Sequence, residues 1–218
     1  MTLPDHGISP ARRAGRTAAW FDGWRLTVAT TLTVAALSAW LAGMGGFEID
    51  GIRLAVRFTA RASLVLFCLA FAASALARLW PAAAARWLRR NRRYLGLSFA
   101  GSHAVHPIAI VAFAATAPLA FRAATSPASF IFGGLGYAFI VAMAATSFDA
   151  AAARIGPRAW RLLHTSGIYY LWFQFMVSFG ERIPAMPNHA WFLLPLLAVM
   201  ALRVVAALRG RRAREATP

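Results

Sequence analysis

The sequence predicts an all-α integral membrane protein, a bundle of about six transmembrane helices with both termini in the cytoplasm. Three observations lead there: composition, the spacing of apolar runs, and the placement of arginine. Of the 218 residues, 60% are hydrophobic and 14% charged, and mean hydropathy is +0.57, values of the membrane class. A spanning helix takes about 20 apolar residues. The length therefore accommodates about six spans with short loops and leaves no room for a separate soluble domain. No glycine-rich dinucleotide fingerprint or Walker loop is present, so flavin, nicotinamide or ATP chemistry would come from another chain.

Residues 1–22 read as a polar cytoplasmic segment containing Pro4, Gly7 and Pro10. Arg12, Arg13 and Arg16 precede a run long enough to span, which argues against a cleavable signal peptide. The transmembrane domain is expected over 23–208. Its first span covers 26–46, and a loop at 46–51 carries Glu48 and Asp50. The second span covers 58–80 and stops at Pro81. A basic loop over 86–94 leads into a third span at 95–121, and Pro127 marks the next turn. The fourth span, 130–147, contains Gly133, Gly134 and Gly136, small residues that let a neighbouring backbone approach. A loop at 149–157 precedes a fifth span at 158–179. A proline-containing loop at 181–189 leads to the sixth span at 191–208 and a basic tail at 209–218.

With that topology one side collects most of the arginines, including Arg25, Arg86, Arg89, Arg90, Arg92, Arg93, Arg154, Arg158, Arg161 and those of the tail. The other side keeps Arg53, Arg57, Arg122 and Arg182 with Glu48, Asp50 and Glu181. Positive charge stays inside, so both termini are expected in the cytoplasm and the chain in a bacterial inner membrane, with lipid as its first partner. Trp20, Trp24, Trp80, Trp87 and Trp160 fall near the inner face and Trp191 near the outer, as interfacial anchors. The net charge of +16 is accounted for by these loops, which excludes nucleic acid as a partner. Cys68 is the only cysteine, so neither an internal disulfide nor a Cys-based metal cage can form.

Two apolar runs carry histidine. His103 and His106 lie on the third span, and His164 lies on the fifth. Ionisable groups at membrane depth are costly and mark functional sites, and neutral imidazole is a common haem ligand. Hydrogen bonding between helices is the competing reading. At 1.5 Å per residue, His103 lies about 12 Å beyond Leu95 and His164 about 9 Å beyond Arg158. That depth arithmetic pairs His103 with His164. Pro107 removes the backbone bond to the His103 carbonyl and predicts a kink at the histidines. Arg61 is the other costly residue, reaching either the membrane surface or an anionic group such as a haem propionate or quinone. His6 and His189 fall in polar segments expected to be exposed and receive no role. Only seven carboxylates occur, nearly all in loops, which weakens a proton-coupled transporter.

Three stretches resemble the ferric reductase-like transmembrane family. Within it, the nearest branch is the haem-binding membrane subunit of bacterial periplasmic methionine sulfoxide reductase systems. They are Phe58-Thr-Ala-Arg61-Ala-Ser-Leu64, Arg92-Arg-Tyr-Leu-Gly-Leu97 running on to His106, and Gly156 through Trp160 to His164 and Tyr169. The likeness covers about 57–180. It implies haem b, about one per chain, with His106 as the ligand on the third span, His103 as its substitute, and His164 on the fifth. A further histidine of that branch corresponds to Val177, so no clear ligand set for a second haem remains. Complete transfer across the ~30 Å apolar core would then need a quinone, a partner's flavin or another ligand.

The expectation is therefore a b-type cytochrome subunit that exchanges electrons with a partner oxidoreductase and has no catalytic domain of its own. A haem-free membrane scaffold or assembly protein is the rival, with a small-solute transporter behind it.

Overall fold

The computed structural model describes residues 21–215. His6, Trp20 and the arginines at 12, 13 and 16 lie outside the described residues, as do the last three of the tail. Among the described residues the secondary structure is helical, with no strand. In chain order the helices are α1 (Trp24–Met44), α2 (Ile49–Leu79), α3 (Ala83–Arg90), α4 (Arg92–Thr116), α5 (Pro118–Ala124), α6 (Pro127–Ala145), α7 (Asp149–Gly180) and α8 (Leu193–Glu215), with a 3-10 turn over Pro187–Phe192 before α8. Five of them are long and apolar enough to cross a membrane: α1, α2, α4, α6, and the stretch Pro187–Glu215 that contains α8. The molecule is a multi-pass membrane bundle.

Several boundaries differ from the sequence expectation, each for a local reason. The second helix starts at Ile49, so Asp50 sits in its first turn rather than in a loop. The basic stretch after Pro81 is helical: α3 and α4 meet at Asn91, which is buried and accepts a hydrogen bond from the Gly23 amide at 3.0 Å. The expected 95–121 span divides at Ala117, because Pro118 disfavours helical geometry in the residue before it. The stretch 149–157 is the opening of α7. That helix breaks at Gly156 (φ 77°, ψ 163°), a conformation open to glycine, immediately before Pro157. The segment 157–180 is about 36 Å long at the standard rise. It falls short in apolar character because Arg158, Arg161, His164, Thr165, Ser166 and Gln174 dilute it. Such residues belong on a helix that faces a bundle interior. The basic tail continues α8 as helix to Glu215.

The core is aromatic. Phe67 lies 5.3 Å from Phe71, 5.6 Å from Phe99 and 5.2 Å from Phe175, centroid to centroid. Leu171, Leu196 and Val199 are buried beside them. Two close pairs flank this core. Helices α2 and α4 are joined by hydroxyls, with Ser63 Oγ 3.1 Å from Ser102 Oγ, both fully buried. Helices α6 and α7 meet at Gly167, where an added Cβ would collide with Met143 and crowd Phe139. Helices α4 and α7 share ring contacts, but over their N-terminal parts a cavity separates them.

Gly167→Leu is expected to destabilise the detergent-solubilised protein by about 1–3 kcal/mol through overpacking, read as a lowered thermal midpoint. Gly133→Ala, with no atom within 4 Å of the added methyl, should be neutral or stabilising by up to about 1 kcal/mol.

Candidate functional site

Thr59 on α2 and His106 on α4 stand 2.8 Å apart, Oγ1 to Nδ1. The threonine hydroxyl also lies 2.9 Å from the Ala55 carbonyl and 3.0 Å from that of Val56. It has one proton, given back to its own helix, so Oγ1 accepts from His106 Nδ1–H. That assigns the tautomer: the lone pair sits on Nε2. A hydrogen bond that fixes one ring nitrogen so that the other can bind is the usual support of a metal-binding histidine.

His103, one turn earlier, is packed among rings: Phe99 at 5.4 Å, Tyr137 at 5.1 Å, His106 at 5.3 Å and Phe175 at 6.1 Å. Its Nδ1 is buried and has no hydrogen-bond partner. Helix α4 runs on through Pro107, and the carbonyl that the proline leaves unpaired belongs to His103. Tyr137 donates its hydroxyl to that oxygen at 3.4 Å, a repair by a neighbouring helix that keeps the expected kink from ending the helix.

His164 repeats the threonine arrangement on α7. Thr146 Oγ1 donates to the Ala142 carbonyl at 2.7 Å and lies 3.0 Å from His164 Nε2. Nε2 thus carries the proton and Nδ1 the lone pair. Trp160 stacks on the imidazole, centroids 4.2 Å apart, and donates its indole N–H to the Thr146 carbonyl at 3.0 Å. Trp160, expected as an interfacial anchor, also clamps His164.

His164 lines a cavity of about 570 Å³ between α4 and α7. From α4 it is walled by Arg92, Gly96, Phe99 and Ala100, and from α7 by Trp160, Arg161 and Ile168. His103 and His106 do not line it. Phe99, which stacks on His103 and also faces the cavity, separates the two. On α7 the residue against His103 is Phe175, 11 positions beyond His164 and so about 16 Å further along. The α4 histidines and His164 therefore occupy different depths, rather than the common depth the spacing suggested. Position 177, expected to have no histidine at its depth on the third span, stands close to that of His103. It lies about 200° round the helix from Phe175 at 100° per residue, so a histidine there would point away from His103.

Arg61 is exposed, its guanidinium carbon 4.9 Å from the centre of the Phe192 ring, and it does not line the cavity. His189, expected to be exposed, is buried against Phe179 and Phe192. Among the described residues no group of three or more His, Cys, Asp or Glu converges on a metal position. Three contributors escaped the sequence reading. Thr146 carries no signal alone, whereas Thr59 lies inside a stretch already singled out. Arg203, a charge inside the apolar run of the sixth span, was the missed signal: it lines the cavity from α8. The chain matches no known family, no curated protein and no solved structure.

The donor chemistry suits haem: an oriented imidazole with Nε2 free of its proton, an unpaired buried Nδ1 on His103, and a cavity beside a third imidazole. The donors do not, as they stand, face one another across one plane.

Tyr137→Phe should cost about 0.5–1.5 kcal/mol by leaving the His103 carbonyl unpaired. In a Pro107→Ala background the restored backbone N–H takes over that carbonyl, and the same substitution should cost little. A double-mutant cycle on thermal unfolding that shows no coupling would remove this account of Tyr137.

Proposed function

We propose that the chain is a b-type cytochrome subunit that exchanges electrons with a partner oxidoreductase. The observation that carries this reading is the cavity between two histidine-bearing helices, with a threonine hydroxyl fixing the tautomer of an imidazole on each side. His106, with His103 as substitute, and His164 would hold the iron. Bound haem supplies one-electron redox chemistry. The protein's part is to orient, enclose and bias charge. Thr59 holds the ring of His106. Phe99, Phe175 and Phe67 keep water from the α4 histidines. Arg92, Arg93, Arg161 and Arg203 give the inner end of the cavity a positive field that favours carboxylates or reduced, anionic carriers. The α4 histidines and His164 lie at different depths with Phe99 between them, so holding one iron would require α4 and α7 to shift along one another as well as Phe99 to leave the wall.

The reading includes six spans, with 157–180 crossing the bacterial inner membrane and both termini in the cytoplasm. It keeps the likeness to ferric reductase-like membrane subunits over about 57–180, with a quinone or a partner's flavin as the exchanging carrier. A haem-free scaffold is the second reading, and one observation favours it: Nε2 of His164 is already satisfied by Thr146.

Expressed with ample haem, the protein should show a low-spin b-type spectrum on dithionite reduction, at about one haem per chain. His164→Ala should abolish most of it, since α7 has no substitute histidine. Of His106→Ala and His103→Ala, the first should lose haem and the second keep it with a shifted spectrum. A colourless wild-type protein selects the scaffold.

Reporter fusions after Arg93, Arg154 and Arg214 should report cytoplasm and one after Arg182 the opposite side. If Arg154 and Arg182 report the same side, α7 does not span and the six-span arrangement is wrong.

A further inference from the structure

The inner cavity has a charge pattern that the histidines do not explain. Arg92, Arg93, Arg161 and Arg203 line it, against the single carboxylate of Asp149. That carboxylate is taken by Arg93 Nη1 at 3.0 Å. Arg203 is seated with its guanidinium carbon 4.4 Å from the Phe71 ring centre, Nη1 donating to the Phe71 carbonyl at 3.1 Å. Yet the Nε atoms of both Arg93 and Arg203 are buried without any acceptor. Those two atoms face protein and not the cavity; what the four guanidiniums present to it is positive charge with one carboxylate to offset it, and an anion is the complementary partner.

A second space adjoins the first. Ala100 on α4 and Ile140 and Ala144 on α6 line both the cavity and an apolar groove of about 470 Å³ that runs between α1, α4 and α6. These three side chains form the thin partition that the two spaces share. Beyond it the groove is walled by Leu97, Ala104, Val141 and Tyr137, and the stacked rings of Trp24 and Phe148, 5.7 Å apart, stand at its inner end. A cationic chamber beside an apolar groove matches a molecule with an anionic head and a hydrocarbon tail. The arginine-rich loops place this chamber at the inner membrane face, where anionic lipids meet basic pockets between helices.

We propose that cavity and groove form one binding site for an anionic phospholipid, its phosphate among Arg92, Arg161 and Arg203 and one acyl chain between α1 and α6. The site draws on the arginines and the groove and on no histidine, but it shares the cavity with His164, so lipid headgroup and haem would compete for that space.

The test is native mass spectrometry of the delipidated full chain in detergent, titrated with phosphatidylglycerol or phosphatidylcholine of matched acyl chains. Haem content is read in parallel, so that loss of one reading is not mistaken for loss of the other. Phosphatidylglycerol should bind one per chain, about tenfold or more tighter than phosphatidylcholine, given two or more arginines at the headgroup. Arg92→Gln combined with Arg161→Gln should remove that preference. Ala144→Phe should weaken both lipids by filling the space at the shared partition, while Arg122→Gln, outside the site, should change neither. Equal binding of the two lipids by the wild-type protein overturns the proposal, and this comparison needs no variant to fold. Full displacement of phosphatidylglycerol by millimolar inorganic phosphate also overturns it, assigning the arginines to a free anion.

Discussion

The hydroxyl of Thr59 has one proton and three neighbours within 3.0 Å. Because the proton goes back to its own helix, the oxygen faces α4 as an acceptor and His106 must arrive as a donor. In a bundle surrounded by hydrocarbon a buried imidazole has no water to fall back on, so this contact fixes the rotation of α4 against α2. Ser63 and Ser102 repeat the constraint one turn on. Thr146 imposes the same rule on His164 across α6 and α7. The bundle is thus two hydroxyl-pinned pairs, α2 with α4 and α6 with α7. The cavity is the space that remains between them.

Much of the architecture is legible because lipid leaves few ways to satisfy a backbone. The apolar runs mark α1, α2, α4, α6 and α8, and Pro127 marks the start of α6, whereas the break before Pro118 fell inside an expected span. Depth is less legible. Counting residues from the arginines put His103 level with His164, but the counting assumed that both helices enter the membrane at the same residue type. Helix α7 instead has an extra segment before Gly156, and its contacts place Phe175 at the level of His103. Register between non-adjacent helices is set by packing of rings such as Phe67, Phe99 and Phe175, which no spacing rule contains. His189 shows the same limit: a polar neighbourhood in sequence became an aromatic one when the 3-10 turn folded over Phe179.

The separation in depth gives Phe99 its interest. It lies against His103 on one side and the cavity on the other, so its rotamer decides whether the α4 imidazoles and the cavity communicate. Phe99 is itself buried and packed against Phe67 and Phe175, so moving it would mean repacking that aromatic core. The threonine–imidazole bonds are directional and also resist change. A flat cofactor between the helices would therefore need the aromatic wall to repack around it.

Near-infrared magnetic circular dichroism of the oxidised, haem-replete protein tests the central claim most directly, because it reports the axial ligands of ferric haem. The account predicts a bis-imidazole signature that is lost in His164→Ala and kept in Thr146→Val. A haem signature with a single histidine ligand, or a bis-imidazole signature that survives His164→Ala, would contradict the assignment of one cofactor held between α4 and α7.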